Sequence, residues 1–172
     1  MRRILIALAA CVTASALAGP ALASDAAIVS PPKIFAAKLE SVRTKSGLDV
    51  YLPSKVRIDF KPSRARGFAG ASDGTYELYL GVGRCNGANV CTLVSFYGNR
   101  GQQPVYTKRV KLTGGRTGYF QPLTCGASCS PPAIQWVEGD VLYEIATKGA
   151  SAKKEKSTLI KLANSAIKAG PR

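Results

Sequence analysis

The sequence predicts an α+β domain: an antiparallel β-sheet meander with an N-terminal and a C-terminal amphipathic helix packing on it. Three observations carry this. The middle of the chain alternates apolar and polar residues with a period of two. Gly-rich turns separate those runs. Both ends carry apolar residues at helical spacing instead.

The first segment reads as an address. Arg2 and Arg3 precede an apolar stretch from Ile4 to Leu17, Gly19-Pro20 breaks it, and Ala21-Leu22-Ala23 supplies small residues. This predicts a signal peptide over 1–23, cut after Ala23, with 24–172 as a single α+β domain. A cut two residues earlier, after Ala21, is the fallback. A retained anchor fits poorly, because a span needs about 20 apolar residues. Lipidation at Cys11, after Leu8-Ala9-Ala10, would leave an apolar core of only about seven residues. Loss of Arg2 and Arg3 takes the formal charge from +14 to +12.

The first helix is expected over Pro32–Ser46. Ser30 caps it, Pro31 and Pro32 open it, and Gly47 stops it. Phe35, Leu39 and Val42 form its stripe, widened by Ile34 and Ala37. Asp49 to Pro53 reads as a short extended piece at a sheet edge, since it runs into a proline. Next, Tyr76, Leu78, Leu80 and Val82 share one strand face, and Thr75, Glu77 and Tyr79 share the other. Thr92, Val94 and Phe96 repeat the pattern. From Tyr106 to Leu112, Val110 and Leu112 point inward, and Arg109 and Lys111 outward. Gly114-Gly115 mark a turn before Tyr119 and Phe120. Ile134–Val137 and Asp140–Ile145 flank Glu138-Gly139, the expected loop of a two-residue hairpin. Leu159, Leu162, Ala163, Ala166 and Ile167 mark the last helix, with Ser157 as its cap and Gly170 as its stop. Trp136 is expected to be buried against this helix.

Export decides how the cysteines read. Four remain beyond Cys11: Cys85, Cys91, Cys125 and Cys129. An even number in an oxidising compartment predicts disulfides, in one of three connectivities. Local pairing, Cys85–Cys91 with Cys125–Cys129, is favoured by proximity inside Gly-containing loops. A long link such as Cys91–Cys125 is favoured by loop entropy, at about 4 rather than about 2 kcal/mol. Zinc is disfavoured by the spacing and by export.

The composition removes whole chemistries. The chain has no His, so a Ser-His-Asp triad, a Cys-His pair and an imidazole metal site are all excluded. No metal or other cofactor is expected. Glu138 and Asp140 could pose as paired carboxylates, but they bracket a turn glycine. The Ser-x-x-Lys matches at Ser30 and Ser151 lack their partner motifs. What remains is charge. Lys55, Arg57, Lys61, Arg64 and Arg66 form one cluster; Lys108, Arg109, Lys111 and Arg116 form a second; six lysines from Lys148 to Lys168 form a third. Arg109, Lys111 and Arg116 are the anion-binding candidates. No RNA-recognition aromatic motif interleaves the basic residues, so the sequence does not point to nucleic acid as the partner.

Gly118-Tyr119-Phe120-Gln121-Pro122-Leu123-Thr124-Cys125 through Gln135-Trp136, then Leu142-Tyr143-Glu144-Ile145 and Leu162–Ile167, resembles a family of small exported bacterial proteins without assigned function. The same stretch is faintly similar to a C-terminal domain of unknown function in bacterial envelope-stress and anti-sigma regulators. There too a Trp-bearing strand, a Gly turn and a Tyr-bearing strand precede a terminal helix. The resemblance implies an α+β fold and no catalytic residues. The reading is therefore an exported, periplasmic or secreted, non-enzymatic module that binds an anionic or cell-envelope partner. Two alternatives stay open: a small extracytoplasmic enzyme using Lys, Tyr or carboxylate chemistry, and a regulatory domain that binds another protein.

Overall fold

The computed structural model describes residues 27–58, 64–83, 91–148 and 151–172. The expected signal peptide, Cys11, Lys61 and Cys85 lie outside these residues. In chain order the elements are β1 (Ala27–Val29), α1 (Pro31–Ser46), β2 (Val56–Ile58), β3 (Ala65–Ser72), β4 (Thr75–Val82), β5 (Thr92–Arg100), β6 (Lys108–Lys111) and β7 (Thr117–Gln121). They continue with β8 (Thr124–Cys125), β9 (Cys129–Ser130), β10 (Ala133–Glu138), β11 (Val141–Thr147) and α2 (Glu155–Ala169).

Seven strands form one antiparallel sheet in the order β3-β4-β5-β11-β10-β7-β6. This corrects the expected simple meander. The strands β3 to β5 do run in sequence, but the chain then crosses to the far edge as β6. It returns through β7, β10 and β11, and β11 closes against β5. The local cause is visible at the crossing, where the Gly101 N–H donates to the Asp140 carbonyl at 2.7 Å. That bond seats the end of β5 against the β10–β11 turn. Segment 101–107 then runs over one face of the sheet, tied there by the side chains of Gln135 and Glu144.

Both helices pack on the opposite face. Its residues are Tyr76, Leu78, Leu80, Val94, Phe96, Ile134, Trp136, Tyr143 and Ile145, all buried. Helix α1 lies over β3 so closely that a side chain at Gly67 would meet Phe35 at 2.7 Å and Ile34 at 2.8 Å. Its start is set by Pro31 and Pro32; Lys33 and Ile34 donate to the Ser30 carbonyl, and the Ser30 hydroxyl makes no cap bond. Gly47, at φ +63°, ends it as expected. Phe35 and Val42 are buried, but Ala37 is exposed, so the stripe is narrower than predicted.

Helix α2 buries Leu159, Leu162, Ala163, Ala166 and Ile167, the predicted stripe. Its start is corrected: Glu155 opens it, Lys154 stands at the cap position, and Ser157 donates to the Lys154 carbonyl from inside the first turn. Glu155 is buried and accepts from the Leu123 N–H, which gives an acidic residue its favourable place at a helix start.

Between the helices lies segment 48–53, expected at a sheet edge. It is instead part of the core. Val50 and Leu52 are fully buried, and Val50 exchanges backbone hydrogen bonds with Arg172. Strands β1, β2 and β3 were not anticipated. The hairpin loop is Gly139-Asp140, one residue later than predicted, because Glu138 still pairs with Val141.

Trp136 is buried as expected. It stacks on Tyr143, with ring centroids 5.6 Å apart, and Tyr51 meets both rings edge-on. Cys125 and Cys129 form the local disulfide that closes the β8–β9 turn. Cys91 is also disulfide-bonded.

Candidate functional site

Three surface regions carry polar side chains in a concerted arrangement. A hollow of about 640 Å³ lies where the end of α1 meets the β10–β11 turn. Two of its carboxylates, Asp140 and Glu138, face arginines. Arg100 faces Asp140 at 3.7 Å and donates to the Gly47 carbonyl at 2.8 Å. Arg116 grips both carboxylate oxygens of Glu138. That grip raises the Arg116 pKa above its ordinary value, the hydrogen bond to Glu138 being the main cause. Tyr51 and Tyr143 close the inner wall, both held neutral well into alkaline conditions by burial and then by nearby anionic groups. This region is a strut joining the elements at one end of the sheet.

Arg116 is therefore placed apart from the other two anion-binding candidates. Glu138 lies on the helix-covered face with Trp136, so its partner Arg116 belongs to that side too. Arg109 and Lys111 lie on the other face of the edge strand β6, both exposed, as the alternation predicted. The turn after β6 meets α2, where the Thr113 N–H donates to the Asn164 side chain at 2.7 Å. Lys161 and Lys168 stand on either side of Asn164 around a shallow hollow of about 500 Å³ that also includes Ser165. Lys108, Arg109, Lys111, Lys161 and Lys168 are all exposed. Among the described residues none of these five has an acidic partner.

The third region is the open face of the sheet. One lateral row runs Glu77, Tyr97, Glu144, Gln135, Tyr119 and Arg109 across β4, β5, β11, β10, β7 and β6. Segment 101–107 crosses above it. Oε2 of Glu144 accepts from the Tyr106 hydroxyl at 3.0 Å and from the Gln135 amide at 2.7 Å. Gln135, only 4% exposed, uses its own oxygen to accept from the Val105 N–H. Tyr79 donates to Glu77. Burial first, and these carboxylates second, raise the Tyr79 pKa to about 12 and push Tyr106 higher still. Both phenols are hydrogen-bond donors at any physiological pH. A cleft of about 400 Å³ opens between the crossing segment and strands β4 and β5.

The sequence marks Thr75, Glu77 and Tyr79 as one strand face and Arg109 as outward on another strand, and does not join the two. Tyr97, Tyr106, Gln135 and Glu144 come together through register and through the crossing segment, which a single sequence does not encode locally. No group of three or more acidic or cysteine side chains arranged to hold a metal is found among the described residues. No helix among them is long and apolar enough to cross a membrane.

Fold and surfaces together define an antiparallel sheet covered on one face by two helices, with a cationic edge and a polar open face. Compared with known protein families, curated proteins and solved structures, the chain shows no match.

Proposed function

We propose that this chain is an exported, non-enzymatic module that binds a polyanion of the cell envelope through its cationic edge. The observation that carries this is the band of Lys108, Arg109, Lys111, Lys161 and Lys168, exposed and without acidic partners. Six of the described acids have partners elsewhere: Glu138, Asp140 and Glu40 face arginines, Glu144 and Glu77 accept from tyrosines, and Glu155, in the first turn of α2, accepts from the Leu123 N–H. These five cations raise the positive potential along the β6 edge and the neighbouring surface of α2, and attract a polyanion over a Debye length of about 8 Å at physiological salt. Export, the signal peptide and the likeness to small exported bacterial proteins belong to the same reading, which the local Cys125–Cys129 disulfide favours.

The enzyme alternative has less support. The tyrosines with displaced pKa values are displaced upward, away from the range a general base needs.

The test is binding of the purified chain to dextran sulfate and to vesicles containing anionic lipid, across a salt series. Binding that weakens steeply with salt, and that falls when the band is neutralised, supports the proposal. No binding to either at low salt defeats it.

A further inference from the structure

From the open face of the sheet we infer a second binding site, for a neutral oligosaccharide, distinct from the cationic edge. The cleft of about 400 Å³ beneath segment 101–107 adjoins a hollow of about 210 Å³, Tyr79 and Ser95 lining both. End to end the two follow the strands, from Glu144 in the first to Lys148 in the second. Four residues of strand separate these, or roughly 13 Å. Together the hollows fall within the ~300–1,000 Å³ usual for ligand sites. The shape suits a short chain rather than a single compact group.

The chemistry along the groove selects the class. Tyr97 lies between Glu77 and Glu144, one strand from each. The hydrogen bonds of both glutamates go to Oε2, leaving each Oε1 as an unspent acceptor. Tyr97 accepts from the Asn99 amide at 2.6 Å and keeps its own O–H to donate. Ser95 adds a hydroxyl on the floor. The Tyr97 and Ser95 hydroxyls thus stand as donors beside the glutamate acceptors, with Tyr79, Tyr97 and Tyr106 lining the same cleft. Sugar hydroxyls, each able to donate and accept, match such an array, and the C–H face of a pyranose suits a phenol ring.

Other classes fit less well. An anion would be repelled by Glu77 and Glu144. An apolar ligand would cover the Oε1 atoms of both glutamates and give them no donor. An organic cation would be drawn to the glutamates but would leave the length of the groove unused and meet Lys148 at its other end.

The test uses the isotope-labelled full chain in NMR titrations with cellotriose, maltotriose and chitotriose, with arginine amide and dextran sulfate as separate arms. At least one trisaccharide at millimolar concentration should shift the amides of Tyr79, Ser95 and Tyr97. The shifts should vanish in Tyr79→Ala and Tyr97→Ala at unchanged thermal stability, and persist in the Arg109→Ala, Lys111→Ala double variant. If a tyrosine truncation lowers stability, Ser95→Thr, which narrows the floor, should weaken the same shifts. The inference is overturned if none of the three sugars binds, if binding survives both tyrosine truncations, or if arginine amide occupies the groove instead. Dextran sulfate reports on the cationic edge alone, so failure of one site is told apart from failure of the other.

Discussion

The two faces of the seven-stranded sheet are built from the same strands yet hold together by different means. On the helix-covered face, Trp136, Tyr143, Tyr76, Phe96 and Leu80 lie at 3% exposure or less, and the rings of Tyr76, Tyr143 and Trp136 meet. On the open face, Tyr106 and Gln135 donate to Glu144 and Tyr79 donates to Glu77, and of these five only Gln135 is fully buried. Burial supplies most of the stability, at about 25 cal/mol per Å² of apolar surface. The polar row supplies position, with a net gain of only about 1 kcal/mol per hydrogen bond. The difference teaches where this chain can afford function: the open face can change without losing the fold.

The largest effect expected from this contrast is at Trp136. Truncation to Ala removes a fully buried indole between Tyr143 and Tyr51, and should cost about 3–5 kcal/mol. Denaturant unfolding measures it. The indole N–H has no partner, so the loss is one of packing. A cost below about 1 kcal/mol, or native fluorescence as red as that of the unfolded chain, would break the comparison.

Next comes Gly98, on β5, where an added Cβ would press into the Tyr76 ring. Gly98→Val should destabilise by about 1–3 kcal/mol through overpacking. Ser95→Val, three residues earlier on the open face, should change stability by no more than about 0.5 kcal/mol. Equal effects at the two sites would mean that the faces are not distinct.

High pH gives a smaller test that acts on both faces. Tyr76, Tyr106 and Tyr143 are held above the ordinary phenol range, and Tyr79 is held at about 12, in each case chiefly by burial. An unfolded tyrosine ionises near 10. Between about 10 and 12 the unfolded chain therefore binds fewer protons than the native one, and stability falls as pH rises. Below 10 that stabilisation is fully present. Thermal melts should show a plateau below pH 10 and a decline above it, and the absorbance of native phenolate should lag behind that of free tyrosine. A flat profile to pH 12 would sink the claim.

The contrast also explains what the sequence allowed to be read. The covered face was legible: Leu78 and Leu80, Val94 and Phe96, Ile134 and Trp136, and the Leu159 to Ile167 stripe follow from periodicity, because burial selects residue type position by position. Strand β3 was not legible, since Ala65–Ser72 carries glycine and alanine under α1 in place of the branched residues that mark strands. Segment 49–53 reads as an edge strand because it runs into Pro53, whereas the chain end, through Arg172, pairs with Val50 and the segment is buried. Strand order was hidden because the seating of Gly101 on Asp140 is a long-range bond. Of the candidate site, Arg109 and Lys111 were found by alternation alone. Arg116 was grouped with them by sequence proximity, and only the tertiary structure shows Glu138 holding it on the other side.

The smallest effect on stability is expected where the effect on binding should be clear. Arg109 and Lys111 are exposed on the edge strand and carry no bond that the fold requires. The double change to Ala should shift stability by no more than about 0.5 kcal/mol. The same change removes two of the five cations of the band. If the band meets a polyanion by releasing condensed counterions, affinity for dextran sulfate must fall, and the slope of log K against log salt must become shallower by as much as about 1.8. Arg116→Ala gives the internal control. It releases Glu138 and loosens the strut at the turn, so it should lower stability while leaving the salt slope nearly intact. Salt-dependent binding that follows Arg116 rather than Arg109 and Lys111 would move the anion site to the covered side and reverse the assignment of the two faces.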